Sequence, residues 1–88
     1  KSMKFFLTAK IWQEGKYFIA YNPELEVSSQ GKNREQALIR LNEAATIFLE
    51  TTKKLGTLRQ VLEEAGFVKK ENQWQSPSVS VSALEVMV

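Results

Sequence analysis

The sequence predicts an α+β fold: a three-stranded antiparallel sheet and a further C-terminal strand, packed against one long and one short helix in the order β-β-β-α-α-β. Three patterns carry that prediction. Apolar residues alternate from Phe5 to Ile11 and the chain then turns back at a glycine. An apolar stripe at spacings of three, four and seven runs through residues 34–54. Valine and serine alternate near the end, at 78–82. Period two marks strands and period 3.6 marks helices.

Residues 4–12 form the first expected strand. Phe5, Leu7, Ala9 and Ile11 alternate with Phe6, Thr8, Lys10 and Trp12, so one face is fully apolar. Gln13-Glu14-Gly15-Lys16 follows, and Gly15 can supply the positive φ of a tight hairpin turn. So short a turn makes the next β-rich run, Tyr17 to Tyr21, antiparallel to the first. Asn22-Pro23 ends it, because proline cannot donate to the ladder. Leu25 to Gln30 is a third strand with Leu25 and Val27 on one face, and Gly31 closes it, its expected role being backbone conformation.

Asn33 is a good N-cap and Gln36 completes a capping box, which predicts a helix over 34–54. Its stripe is Ala37, Leu38, Leu41, Ala44, Ala45, Phe48, Leu49 and Leu55. Lys53 and Lys54 suit its C-terminus, and Gly56 is placed to end it. Thr57 begins a shorter helix, with Gln60 in the capping-box position; Leu58, Val61, Leu62 and Ala65 form its apolar side and Gly66 closes it. Lys69 to Gln75 reads as a polar, turn-like stretch around Trp74, which is either a strand residue or a cover for one edge of the core. Residues 78–88 read as the last strand, with a bend near Ala83-Leu84 reconciling Val79 and Val81 with Leu84, Val86 and Val88.

A chain of 88 residues suits one domain, spanning 1–88. Lys1 and Ser2 are expected to be extra residues ahead of a natural start at Met3. A domain of this size buries only roughly 60–65% of its unfolded surface, so self-association would help it. The net charge of +2 is too small and too evenly spread to argue for nucleic acid on its own. No apolar run approaches the ~20 residues that span a membrane. The start shows no signal-peptide core, and a cytoplasmic location is expected.

The missing residue types narrow the function further. The chain has no histidine, no cysteine and no aspartate; all 10 carboxylates are glutamates. The usual proton shuttle at neutral pH, the usual zinc ligands and the base of a nucleophilic triad are therefore lacking. No catalytic residue, metal ligand or cofactor is assigned, and the chain is expected to bind rather than catalyse. A glutamate-only magnesium site or a lysine nucleophile is the remaining enzymatic reading.

From Gly15 to Glu50 the chain resembles the HicB family of antitoxins. The matching pieces are Glu14-Gly15-Lys16-Tyr17 with Ala20 and Tyr21, then Pro23-Glu24-Leu25, Ser29-Gln30-Gly31 and Arg34-Glu35-Gln36-Ala37-Leu38. Leu41-Asn42-Glu43-Ala44-Ala45 and Phe48-Leu49-Glu50 complete the run. The resemblance implies a truncated RNase H-like fold without the catalytic acids. It also implies a place in a type II toxin–antitoxin pair, as the protein that masks the active face of HicA, a small mRNA-cleaving toxin. Two departures stand out. Glu26-Val27-Ser28 replaces the Pro-Gly-Cys-like residues common in the family, and the DNA-binding module that many members carry has no counterpart, so direct operator binding is not expected.

On this reading the partner contacts fall at Glu14, Tyr21, Pro23, Glu24, Glu26 and Gln30, with glutamates facing a basic toxin surface. Val79, Val81, Leu84 and Val86 would join two copies into a homodimer, since a strand with a free edge can pair across a dimer axis. Other readings stay open. Pro23-Glu24-Leu25 also suits a plain strand connection with Leu25 in the core, and the tail also suits a fourth strand in its own sheet. Phe5, Phe6, Trp12, Tyr17 and Tyr21 suit base stacking in a nucleic-acid-binding regulator. An orphan HicB-like domain with some other binding function is a further alternative.

Overall fold

In the computed structural model, which describes residues 3–88, the chain is α+β. The expected extra residues, Lys1 and Ser2, lie outside that range. The order is β1 (Lys4–Phe6), β2 (Lys10–Glu14), β3 (Tyr17–Asn22), β4 (Val27–Gly31), α1 (Arg34–Leu55), α2 (Leu58–Glu64), β5 (Val68–Lys70) and β6 (Gln73–Gln75). Strands β2-β3-β4 form an antiparallel sheet; β1-β6-β5 form a second, mixed sheet in which β1 runs parallel to β6.

The first expected strand is thus divided between two sheets, with a break at residues 7–9. At the break, side chains take over the work of a ladder. Asn22 Nδ2 donates to the Thr8 carbonyl at 2.8 Å, and the Thr8 N–H donates to Glu24 Oε1 at 3.3 Å. Asn22 is only 1% exposed, and both ends of its amide are used: Nδ2 also donates to Glu24 Oε1 at 2.7 Å, and Oδ1 accepts from the Leu25 N–H at 2.8 Å. Removing that amide leaves a carbonyl and an N–H unpaired in a half-buried site. Asn22→Ala is expected to cost about 2–3 kcal/mol, read as a lower urea midpoint at unchanged slope.

Helix α1 forms as its caps predict, ending one residue later, at Leu55. Asn33 Oδ1 accepts from the Gln36 N–H at 2.8 Å, while Gln36 Oε1 accepts from Lys32 N–H, one residue before the expected box partner. Gly56 turns left-handed at φ 77; its N–H donates to Lys53 O and that of Thr57 to Thr52 O, the paired bonds of a Schellman end. The buried positions are Ala37, Leu41, Ala45, Leu49 and Thr52. Leu55, expected in the stripe, is 72% exposed. It stands six residues beyond Leu49, about 120° round a helix of 3.6 residues per turn, and Thr52 takes the core position instead. Thr52 is accommodated because its hydroxyl donates to the Leu49 carbonyl at 2.9 Å. In α2 the expected box is absent. Thr57 makes no side-chain cap, and Gln60 donates instead to Glu64.

The core has two parts. The larger gathers Leu49, Leu62, Phe67 and Trp74, with Phe5, Leu7 and Leu25 against them. The smaller lies under the antiparallel sheet and is built of small residues: Ala20 and Ala37 beside Leu41. Small side chains let α1 settle close on that sheet. Gly31 shows how close: a β-carbon there would stand 2.6 Å from the Ala37 nitrogen. Its φ is not left-handed, so closeness rather than backbone freedom explains the glycine, contrary to expectation.

The C-terminal strand is the main correction. Residues 76–88 form no strand. The place beside β1 goes to β6, with Phe5 opposite Trp74, and β5 pairs on its far side. The Lys69–Gln75 stretch, read as turn-like, is therefore mostly a short hairpin, and Trp74 is its strand residue. The tail's alternation finds no pairing partner among the described residues, and β6 supplies the strand beside β1. Among the described residues no helix is long and apolar enough to cross a membrane.

Candidate partner-binding face

The two-residue turn at Gly15-Lys16 fixes the register of the hairpin. Gly15 has φ 59 and Lys16 does not have a positive φ, the pattern of a turn with glycine at its first central position. Glu14 then pairs with Tyr17, Trp12 with Ile19, and Lys10 with Tyr21. On the other side, Ile19 pairs with Gln30 and Tyr21 with Ser28. Alternate residues point to opposite faces. Ile11, Phe18, Ala20 and Val27 meet α1, so Trp12, Tyr17, Ile19, Tyr21 and Gln30 share the outer face. Among the described residues no helix or strand lies over it.

This face is ordered by its own contacts. Trp12 and Tyr21 meet edge to face, with ring centroids 6.4 Å apart at 72°. Trp12 Nε1 donates to Glu14 Oε2 at 2.8 Å, and Lys10 Nζ lies 6.0 Å from the centre of the same ring. Along β2 the order is therefore cation, ring, anion, which holds the indole in one orientation and leaves the face nearly neutral. At the rim, Arg40 Nη1 donates to the Gln30 carbonyl at 3.2 Å, fastening edge strand β4 to α1.

The expected contact residues are only partly brought together. Glu14, Tyr21 and Gln30 lie on this face. Pro23, Glu24 and Glu26 lie in the β3–β4 turn at the opposite end from Glu14, about 17 Å away along β3 at ~3.4 Å per residue. The three glutamates thus form no single acidic patch. Glu24 is half-buried and already accepts from Asn22 and Thr8, while Leu25 packs into the larger core as a strand connection would have it. Glu26 is exposed and left-handed, at φ 56. Val79, Val81, Leu84 and Val86 are all exposed.

Ile19 was not singled out from sequence, and Trp12 only as a possible stacking residue. The signal was available. A two-residue turn at Gly15 pairs Trp12 with Ile19 by counting outward from it, placing both beside Tyr17 and Tyr21. Among the described residues no group of three or more carboxylates is gathered closely enough to hold a metal ion. Compared with known proteins, the chain matches no family model, no curated protein and no solved structure at a significant level.

Proposed function

We propose that this chain is an antitoxin-like binding module that neutralises a HicA-type mRNA-cleaving toxin by covering its active face. The observation that carries the reading is the uncovered outer face of the β2-β3-β4 sheet. It sets Trp12, Tyr17, Ile19 and Tyr21 side by side on rigid strands, with polar groups at the rim. Aromatic anchors in a desolvated centre ringed by polar contacts are what protein interfaces use. Rigid strands also spare most of the ordering cost of binding. The three-stranded antiparallel sheet followed by a long helix and a later strand is the coarse arrangement expected of a HicB-like domain, to which this chain adds β1, α2 and a second C-terminal strand. The scattered glutamates favour a neutral contact with the toxin over long-range steering.

The test is rescue of growth when the chain is co-expressed with a candidate HicA-type toxin, together with co-purification of the two. Ile19→Glu places a charge at the centre of the face without touching the core. It is expected to abolish rescue and weaken binding by about a hundredfold or more, with the melting temperature nearly unchanged. Trp12→Ala is expected to weaken binding about thirtyfold. Undiminished rescue by Ile19→Glu would refute the proposal. Retained RNA binding by the free chain, falling steeply with salt, would favour the nucleic-acid reading instead.

A further inference from the structure

The C-terminal segment, residues 78–88, is rich in apolar residues yet exposed throughout. Val79 is 50% exposed and Leu84 85%, and Val81, Val86, Met87 and Val88 are exposed as well. The last internal hydrogen bonds on the way out are made by Ser76, whose N–H donates to the Phe6 carbonyl at 3.0 Å and whose hydroxyl meets that of Thr8 at 3.4 Å. Beyond Pro77 no backbone group of the segment is paired with another among the described residues. Eleven residues with six large apolar side chains and one charged side chain, Glu85, leave an exposed apolar segment that can pair with a partner.

A receiving surface lies beside the point of departure. A cleft of about 300 Å³ runs between the strand break and α1, floored by Leu41 and Ala45 and rimmed by Phe6, Leu7 and Leu38. Phe6 and Leu38 stay half exposed there, and Ile39 is exposed on the next position of the helix. Tail origin and cleft thus share Phe6 to Thr8. A second copy placed across a two-fold axis near these residues would lay its tail over this cleft and receive this chain's tail in return. Such a contact is isologous and closed, so it stops at two.

We infer that two copies of this chain exchange their C-terminal segments, residues 78–88 of each lying along the other, with Val79 and Val81 over the cleft beside Leu38. Each extended segment is about 36 Å long at ~3.3 Å per residue. Two of them, buried together with the clefts, supply the roughly 1,200 Å² or more that a specific interface requires. In the single chain the tail lies off its own cleft, none of whose lining residues comes from 78–88, which leaves the cleft to a second copy. The outer sheet face plays no part in this dimer, so the inference stands apart from the proposed function.

Light scattering on the full chain is expected to give about twice the monomer mass of 10.1 kDa. Val81→Glu and, on the receiving side, Leu38→Glu are each expected to raise the dimer dissociation constant about thirtyfold or more. The helical circular dichroism should not change, because neither side chain belongs to the core. The chain has no cysteine, which allows a direct test. Single variants Val81→Cys and Leu38→Cys, differently tagged and mixed, are expected to form a disulfide between chains under mild oxidation. A monomeric parent, dimers indifferent to both glutamates, or a Val81→Cys/Leu38→Cys double variant that closes only within one chain would each overturn the inference.

Discussion

Gly31→Ala is expected to lower the melting temperature by about 12–24 °C, corresponding to about 3 kcal/mol in a domain of this size. The added β-carbon would lie 2.6 Å from the Ala37 nitrogen and 2.9 Å from both the carbonyl carbon and the β-carbon of Gln36. Two of these are backbone atoms in the first turn of α1. They cannot retreat, because the Ala37 N–H is bonded to the Asn33 carbonyl at 3.1 Å and the Gln36 N–H to Asn33 Oδ1. Strand β4 and helix α1 must therefore part, opening the small core over Ala20 and Ala37. Gly15→Ala is the contrast. Nothing stands within 4 Å of a β-carbon there, but φ is +59, so only the backbone cost of about 1 kcal/mol applies. Thermal melts of the two variants separate the mechanisms. A fall for Gly31→Ala no larger than that for Gly15→Ala would show that the helix does not sit so close.

Trp74→Ala is expected to cost about 3–5 kcal/mol. An 88-residue domain has roughly 4–13 kcal/mol of stability in all, so the variant would stand near the limit of folding. Trp74 is buried in the larger core with Leu49, Leu62 and Phe67, opposite Phe5 in the parallel pair, and the Arg59 guanidinium lies 5.9 Å from its ring centre. Its loss leaves a cavity where α1, α2 and both strands of the C-terminal pairing meet. Denaturant unfolding followed by circular dichroism measures the effect. Trp74→Phe should recover more than half of it, since most of the volume returns. A loss below about 1 kcal/mol for the alanine variant would mean that β6 does not carry the second sheet.

Both positions mark the limits of what the chain discloses before folding. Helix α1 was legible because Asn33, Gln36 and Gly56 act locally, through atoms a few residues away. The β2-β3 hairpin was legible for the same reason, at Gly15. What lay hidden depends on distant partners. Strands β5 and β6 are three residues each, too short for a periodic pattern, and only Trp74 among them is buried. The tail shows a cleaner alternation than either, yet the place beside β1 goes to β6, because burial of Trp74 against Phe5 decides the pairing. The break in the first strand was invisible as well, since the groups that pair with Thr8 there, Asn22 and Glu24, come from further along the chain. In the candidate site, Tyr21 was found through the resemblance, whereas Ile19 needed the register.

The parallel pairing of β1 with β6 has a consequence for how the molecule is made. Lys4 is synthesised 69 residues ahead of Gln73, its partner in the pair. While the chain is growing, the β2-β3-β4 hairpins and α1 can assemble, but Phe5 and Leu7 have no Trp74 to receive them. Their apolar surface stays open to other nascent chains until Gln73–Gln75 clear the ribosome tunnel. Contacts of such long sequence separation also form slowly. Yield in the cell should therefore respond to chaperone supply and to translation rate more sharply than refolding of the purified chain would suggest.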